Sequence, residues 1–125
     1  MKFLVVDDSI TMRRIIINAL QRIGYHDAIE ASDGKDALHK FDGSIGFVIT
    51  DWNMPNMSGV EFARAVRADP IGASVPILMV TTRGAREDIV SAVEAGVNNY
   101  ILKPFTPTVL KEKIDRLLAS MSAAA

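Results

Sequence analysis

The stretch Gly46-Phe47-Val48-Ile49-Thr50-Asp51-Trp52-Asn53-Met54-Pro55-Asn56-Met57-Ser58-Gly59 decides how the rest of this chain folds. Its first part is a nearly continuous apolar, β-branched run, the pattern of a strand covered on both faces. The run stops at a carboxylate, Asp51, and then passes through Asn, Pro, Asn, Ser and Gly, residues that favour turns. Ser58, followed three residues later by Glu61, has the spacing of a capping box. A helix therefore opens at Ser58 and runs to about residue 67, with Val60, Ala63 and Val66 inward. The unit is a buried strand, an acidic turn and a helix, which is half of a parallel βαβ crossover.

The same grammar repeats on either side. Residues 3–6, 75–80 and 100–102 are further apolar runs, and 28–31 is a weaker one that suits an edge strand. Between them lie helical patterns. Met12, Ile15, Ile16, Ala19, Leu20 and Ile23 recur at helical spacing, with Gly24 as the residue that ends the helix. Residues 34–41 form a short second helix, and 85–95 another, stopped by Gly96. In the last, Thr106 caps, Pro107 takes the first helical position, and Leu110, Ile114, Leu117, Leu118 and Met121 form one stripe. The terminal residues 120–125 read as a frayed end. The order βαβαβαβαβα predicts a doubly wound α/β sandwich around a five-stranded parallel sheet of order 2-1-3-4-5, a flavodoxin-like three-layer fold.

With 125 residues and no composition break, positions 1–125 are expected to form one domain without an output domain. An apolar share of 49% against 23% charged excludes intrinsic disorder. The net charge of −1 gives no general surface for nucleic acid or anionic membrane. Without cysteine there is no disulfide framework, thiolate nucleophile or thiolate metal site. The apolar start MKFLVVDDS is too short and too acidic for a signal peptide, and no apolar segment is long enough for a bilayer. A cytoplasmic monomer is expected.

In open α/β sheets ligands bind beyond the carboxyl ends of the strands, where strand order reverses. The order 2-1-3-4-5 puts that point between the first and third strands. Asp7 and Asp8 follow the first strand, Asp51 the third, Thr81 the fourth and Lys103 the fifth. Taken singly, each has an ordinary explanation as a helix cap, a turn or a surface residue. Together they would place three acids, a hydroxyl and an ammonium on one edge of one sheet. Such acids cannot all stay ionised uncompensated: either one holds a proton or a cation sits among them. Oxygen ligands with open positions suit Mg²⁺, and the remaining carboxylate is then free to attack phosphorus and form an acyl phosphate.

These residues, read as VVDDS, TDWNMPNMSG, TT and NNYILKPF at successive strand ends, resemble the receiver domain of two-component response regulators over essentially the whole chain. The likeness is greatest to single-domain chemotaxis regulators. The resemblance implies that Asp51 is the phosphoacceptor and that Asp8 ligates Mg²⁺. Asp7 supports the metal mainly through water, and the Asn53 backbone carbonyl completes the protein ligands. It implies that Thr81 hydrogen-bonds the phosphoryl group and that Lys103 pairs with Asp51 at rest and with phosphoryl oxygens afterwards. Tyr100 becomes the switch aromatic, and the Lys103–Pro104 bond is cis. The implied partners are a histidine kinase of the CheA type, a flagellar motor switch protein of the FliM type and a phosphatase in the CheZ style. Such a chain is a signalling protein that catalyses its own phosphoryl transfer rather than an enzyme with a separate substrate.

Asn53 and Arg83 each lie two residues beyond a strand-end site residue, Asp51 and Thr81, and are expected to set the lifetime of phospho-Asp51. Trp52 is expected half-exposed beside the site, and Met54 and Met57 are placed along the crevice. His26 and His39 have no partner at ligand spacing, and Lys111, Lys113 and Arg116 read as the solvated face of the last helix. A phosphorelay intermediate is the alternative within the family. A haloacid-dehalogenase-type phosphatase fits less well, because Ser9 stands where its second acid would be. A flavin carrier also fits poorly, because two acids after the first strand would repel its phosphate.

Overall fold

The computed structural model describes residues 1–124, and side chains through Met121. Five strands, β1 (Lys2–Val6), β2 (Ala28–Ala31), β3 (Ile45–Thr50), β4 (Ile77–Thr81) and β5 (Asn99–Leu102), alternate with five helices. The helices are α1 (Ile10–Arg22), α2 (Gly34–Lys40), α3 (Gly59–Ala68), α4 (Arg86–Glu94) and α5 (Pro107–Ala124). All strand pairs are parallel, in the order β2-β1-β3-β4-β5 that the sequence predicts.

Alternate residues of the central strands feed two cores. Leu4, Val6, Val48, Ile77 and Met79 meet α2, α3 and α4, including Phe62, which is fully buried. Phe3, Val5, Phe47, Ile49, Leu78 and Val80 meet Ile16, Ala19 and Leu20 of α1 and Leu110, Ile114 and Leu117 of α5. Continuous apolar strands are the consequence of covering both faces.

The helix ends follow local chemistry. The capping box at Ser58 and Glu61 is formed in both directions, and Val109 N–H donates to the Thr106 hydroxyl at 3.2 Å. Gly24 and Gly96 adopt φ of +101° and +103°. At each glycine the following N–H reaches back to a helix carbonyl, Tyr25 to Leu20 and Val97 to Ala92, the pattern of a left-handed C-terminal cap.

Several details differ from expectation. β4 begins at Ile77 rather than 75, because Pro76 has no N–H to give a ladder and contributes only its carbonyl, to Val48. β3 starts earlier, at Ile45, and a 3₁₀ turn, Pro70–Gly72, follows α3. Ile15 is 47% exposed, so the inward stripe of α1 is narrower than its apolar residues suggest. Helix α5 continues to Ala124; Ala125 and the side chains after Met121, most of the stretch expected to fray, lie outside the described residues.

Candidate functional site

Val6 and Thr50 are paired across the adjacent strands β1 and β3, so the residues that follow them, Asp7 and Asp51, leave the sheet side by side. Asp7 is buried and held on every side. Its N–H donates to Ala31 O at 3.1 Å, its Oδ1 accepts Ser9 N–H at 2.9 Å, and its Oδ2 faces Lys103 Nζ at 3.0 Å. Asp51 is half-buried; its Oδ1 accepts Trp52 N–H at 2.7 Å and its Oδ2 lies 3.2 Å from Lys103 Nζ. Asp8 is exposed, yet one carboxylate oxygen from each of Asp7, Asp8 and Asp51 lies within 4.8 Å of the others. Gly59 permits this closeness of loop and helix: a Cβ there would sit 1.9 Å from the Asp51 carbonyl oxygen.

Electrostatics follow from that crowding. Burial pushes the Asp51 carboxyl above its usual range; Lys103 and the Trp52 N–H pull it down, and the Asp7 charge adds to the rise. Burial alone would lower the Lys103 ammonium, but hydrogen bonds and charge from Asp7 and Asp51 outweigh it, so its pKa is raised. Three carboxylates against one ammonium leave an excess of negative charge among hard oxygen donors. That donor set fits Mg²⁺, which takes one or two carboxylates and keeps several waters. Asp7, Asp8 and Asp51 are the residues whose oxygens lie close enough together to hold it.

Thr81, Asn53 and Arg83 gather on the same edge, while Tyr100 lies within β5, opposite Met79. Thr81 is buried at the end of β4, and its hydroxyl accepts Arg83 N–H at 3.1 Å. Lys103 N–H donates to Thr81 O at 2.8 Å, tying the ends of β4 and β5 together, and the Lys103–Pro104 bond is cis. Tyr100 is half-buried on β5 and borders an open groove of about 410 Å³ with Leu102, Pro104, Phe105, Val109 and Lys113. Arg83 and Asn53 touch each other: Arg83 Nη2 donates to Asn53 Oδ1 at 3.0 Å. The same guanidinium lies 4.7 Å from the centre of the Trp52 ring and 3.4 Å from Asp88.

Two expectations change. Met54 and Met57 pack against the α2–α3 core instead of lining the crevice; Met57 covers Gly34, where a Cβ would be 2.7 Å from its Cγ. Lys111 and Arg116 are exposed as expected, Lys111 pairing with Asp115 at 2.6 Å, whereas Lys113 is half-buried and reaches Asn99 Oδ1 at 3.2 Å.

The structure also brings in residues that the sequence did not single out. Asn56 has φ +67°, a left-handed conformation that Asn tolerates better than most residues. It donates from Nδ2 to Asp33 Oδ2 at 2.6 Å, and Gly34 N–H donates to Met57 O at 3.1 Å. This clasp fastens the loop after Asp51 to the start of α2. A non-glycine turn residue in MPNM was the only available signal. Arg13 donates from Nη1 to the Asp7 carbonyl at 2.5 Å, and no sequence pattern announced it.

A doubly wound sheet with this acidic crevice and strand-end lysine defines the receiver class. Residues 3–115 match the response regulator receiver domain model, and the chain belongs to that family. It is 52% identical over 122 residues to chemotaxis protein CheY1 of Helicobacter pylori, covering 96% of this chain and 98% of that one. It is equally 52% identical over 124 residues to the CheY homolog of Campylobacter jejuni, covering 98% of this chain and 95% of that protein. Among solved structures, CheY4 of Vibrio cholerae superposes with a TM-score of 0.85 at 37% identity, covering 93% of this chain and 97% of that one. Within its family, then, this is a CheY-like receiver of the chemotaxis type.

Proposed function

We propose that this chain is a phosphorylation-controlled cytoplasmic regulator of chemotaxis. Asp51 takes a phosphoryl group from a histidine kinase in an Mg²⁺-dependent reaction, and the phosphorylated form binds the flagellar motor switch to control rotation. The observation that carries this reading is the position of Asp51, half-buried between two other acids and Lys103 at the switch point of the sheet. Mg²⁺, held by Asp8, Asp51, the Asn53 carbonyl and indirectly Asp7, would offset negative charge on the transferred group.

The chain's own residues do the rest. Lys103 bridges Asp51 and Asp7 at rest and is within reach of phosphoryl oxygens once the adduct forms. An Asp51 carboxylate oxygen forms the new bond to phosphorus while the bond from phosphorus to the kinase imidazole breaks, the imidazole leaving with the electron pair. The Thr81 hydroxyl accepts the Arg83 N–H, so its proton is free for a phosphoryl oxygen. Movement of Thr81 toward that oxygen makes room for Tyr100 to turn inward. The shift in population is bounded by the difference in these contacts between the two states. The apolar groove beside Tyr100 is the surface that such a movement would remodel.

The test is to add Mg²⁺ and then a small phosphodonor such as acetyl phosphate, following Trp52 fluorescence and intact mass. A fluorescence response to Mg²⁺ and one phosphoryl adduct on Asp51 are expected. No adduct would overturn the reading.

The lifetime of that adduct is expected to depend on Asn53 and Arg83 as a pair, since they are hydrogen-bonded to each other. Arg83→Ala should change the autodephosphorylation rate. In a double-mutant cycle with Asn53→Ala the coupling should exceed the roughly 0.5 kcal/mol within which independent sites add. Additive effects would mean that the two side chains act separately.

A further inference from the structure

Asp7 and Asp51 are aimed by hydrogen bonds and ion pairs to their own carboxylates. Asp8 is not: among the described residues its carboxylate accepts no hydrogen bond, yet it lies with the other two. What the structure holds in place at Asp8 is the backbone that carries it. The peptide unit is planar, so holding the Asp7 carbonyl also fixes the plane that carries the Asp8 N–H and Cα. That carbonyl is gripped by Arg13 Nη1 at 2.5 Å. Arg13 is itself braced, its Nε donating to Glu30 Oε1 of β2 at 3.0 Å, and its side chain is only 13% exposed.

We propose that Arg13 is a positioning residue for metal binding, which sets the direction of the Asp8 carboxylate by holding the Asp7–Asp8 peptide between α1 and β2. The proposal rests on the reading that Asp8 and Asp51 take Mg²⁺. It deepens that reading, because the brace through Glu30 makes the edge strand part of the metal site's support. Groups that orient metal ligands commonly change affinity by about 10- to 100-fold when removed.

A cation near three acids could also act simply through its charge, and the two possibilities have opposite signs. Loss of a nearby positive charge should tighten binding of a divalent cation. Loss of a positioning contact should weaken it. The neighbouring residue supplies the comparison: Arg14 carries the same charge and reaches the same Glu30 oxygen at 3.6 Å. No bond joins it to Asp7 among the described residues, and its side chain is 64% exposed.

The experiment is an Mg²⁺ titration of the full chain at constant ionic strength, read by Trp52 fluorescence, with a urea midpoint for each metal-free variant. Arg13→Ala should weaken Mg²⁺ about tenfold, while Arg14→Ala leaves affinity unchanged or slightly tighter. Arg13→Lys, which keeps one donor for the carbonyl and loses the brace, should recover part of the loss. Glu30→Ala should weaken binding in the same direction as Arg13→Ala and by less. If Arg13→Ala does not fold, the Lys and Glu30 variants carry the same prediction. Arg13 variants that bind as tightly as the parent, or tighter, would overturn the positioning role while leaving the metal-site reading intact. A parent chain with no response to Mg²⁺ would overturn both.

Discussion

Asp51→Asn should lose the phosphoryl adduct altogether and, without divalent cation, should unfold at a higher urea concentration than the parent. The first result follows from the chemistry, since an amide at this position has no carboxylate to attack phosphorus. The second follows from the cost of keeping that carboxylate ready. Burial raises the Asp51 pKa above 3.8 despite the opposing pull of Lys103 and the Trp52 N–H, and the Asp7 charge adds to the rise. A carboxyl whose pKa is higher folded than unfolded binds its proton more tightly in the folded state. Its ionised form therefore subtracts stability. The subtraction is absent below the unfolded pKa and complete above the folded one. The advantage of Asn should thus be full above the folded pKa and shrink as pH falls through it toward the ordinary carboxylate range.

Mg²⁺ should reverse the order. A ligand bound only by the folded state stabilises it by about 2.7 kcal/mol at a hundredfold excess over Kd. The parent has three acids to bind it and the variant two. Urea midpoints plotted against Mg²⁺ should then cross, with Asn ahead at zero metal and the parent ahead at saturation. A lower midpoint for the variant in metal-free buffer would mean that pairing with Lys103 outweighs burial, contrary to the direction inferred for Asp51.

How much of this was legible beforehand depends on what kind of partner each residue has. Strand ends are legible because a run of β-branched residues that stops at a charge marks both the strand and its edge. For that reason Asp7, Asp51, Thr81 and Lys103 could be brought together from positions up to 96 residues apart. Caps are legible because both partners lie within four residues, as at Ser58 and Glu61. Arg13, by contrast, meets a backbone carbonyl and a glutamate 17 residues away. A carbonyl has no letter in the sequence, so nothing distinguishes Arg13 from Arg14 until the chain is folded. The clasp of Asp33 and Asn56 joins two side chains, but 23 residues separate them and neither stands at a strand end, so nothing in the sequence paired them. Ile15 illustrates the opposite error: helical periodicity locates an apolar face but not its width, and this residue falls on the outer margin.

The largest effect on stability should come from another residue of this hidden kind. Arg67, near the end of α3, donates from Nε and Nη2 to Gly96 O at 3.1 and 2.8 Å. Its Nη1 donates to Gly72 O at 2.8 Å and Val75 O at 2.6 Å, and Nη2 also reaches Asn98 Oδ1 at 2.8 Å. One guanidinium thus joins α3, the 3₁₀ turn, the start of β4 and the α4–β5 connection. Asn98 Oδ1 in turn accepts Ile77 N–H, the first of β4. These acceptors are all neutral, so burial lowers the Arg67 pKa with no acid among them to oppose it. The side-chain stem covers Gly96, where a Cβ would meet Arg67 Cγ at 2.5 Å. Arg67→Ala leaves several carbonyls without donors and uncovers that glycine, a loss of about 3 kcal/mol. For a domain of this size the melting temperature should fall by about 10 °C. Arg67→Met keeps most of the stem and none of the donors, so its difference from Ala isolates the packing share. All these contacts lie at the amino-terminal edge of β4 and β5, opposite the acidic crevice. Both variants should therefore keep the parent's Mg²⁺ affinity at temperatures where they remain folded. A loss below about 1 kcal/mol for Arg67→Ala, the scale of an ordinary exposed contact, would show that water replaces the guanidinium at little cost.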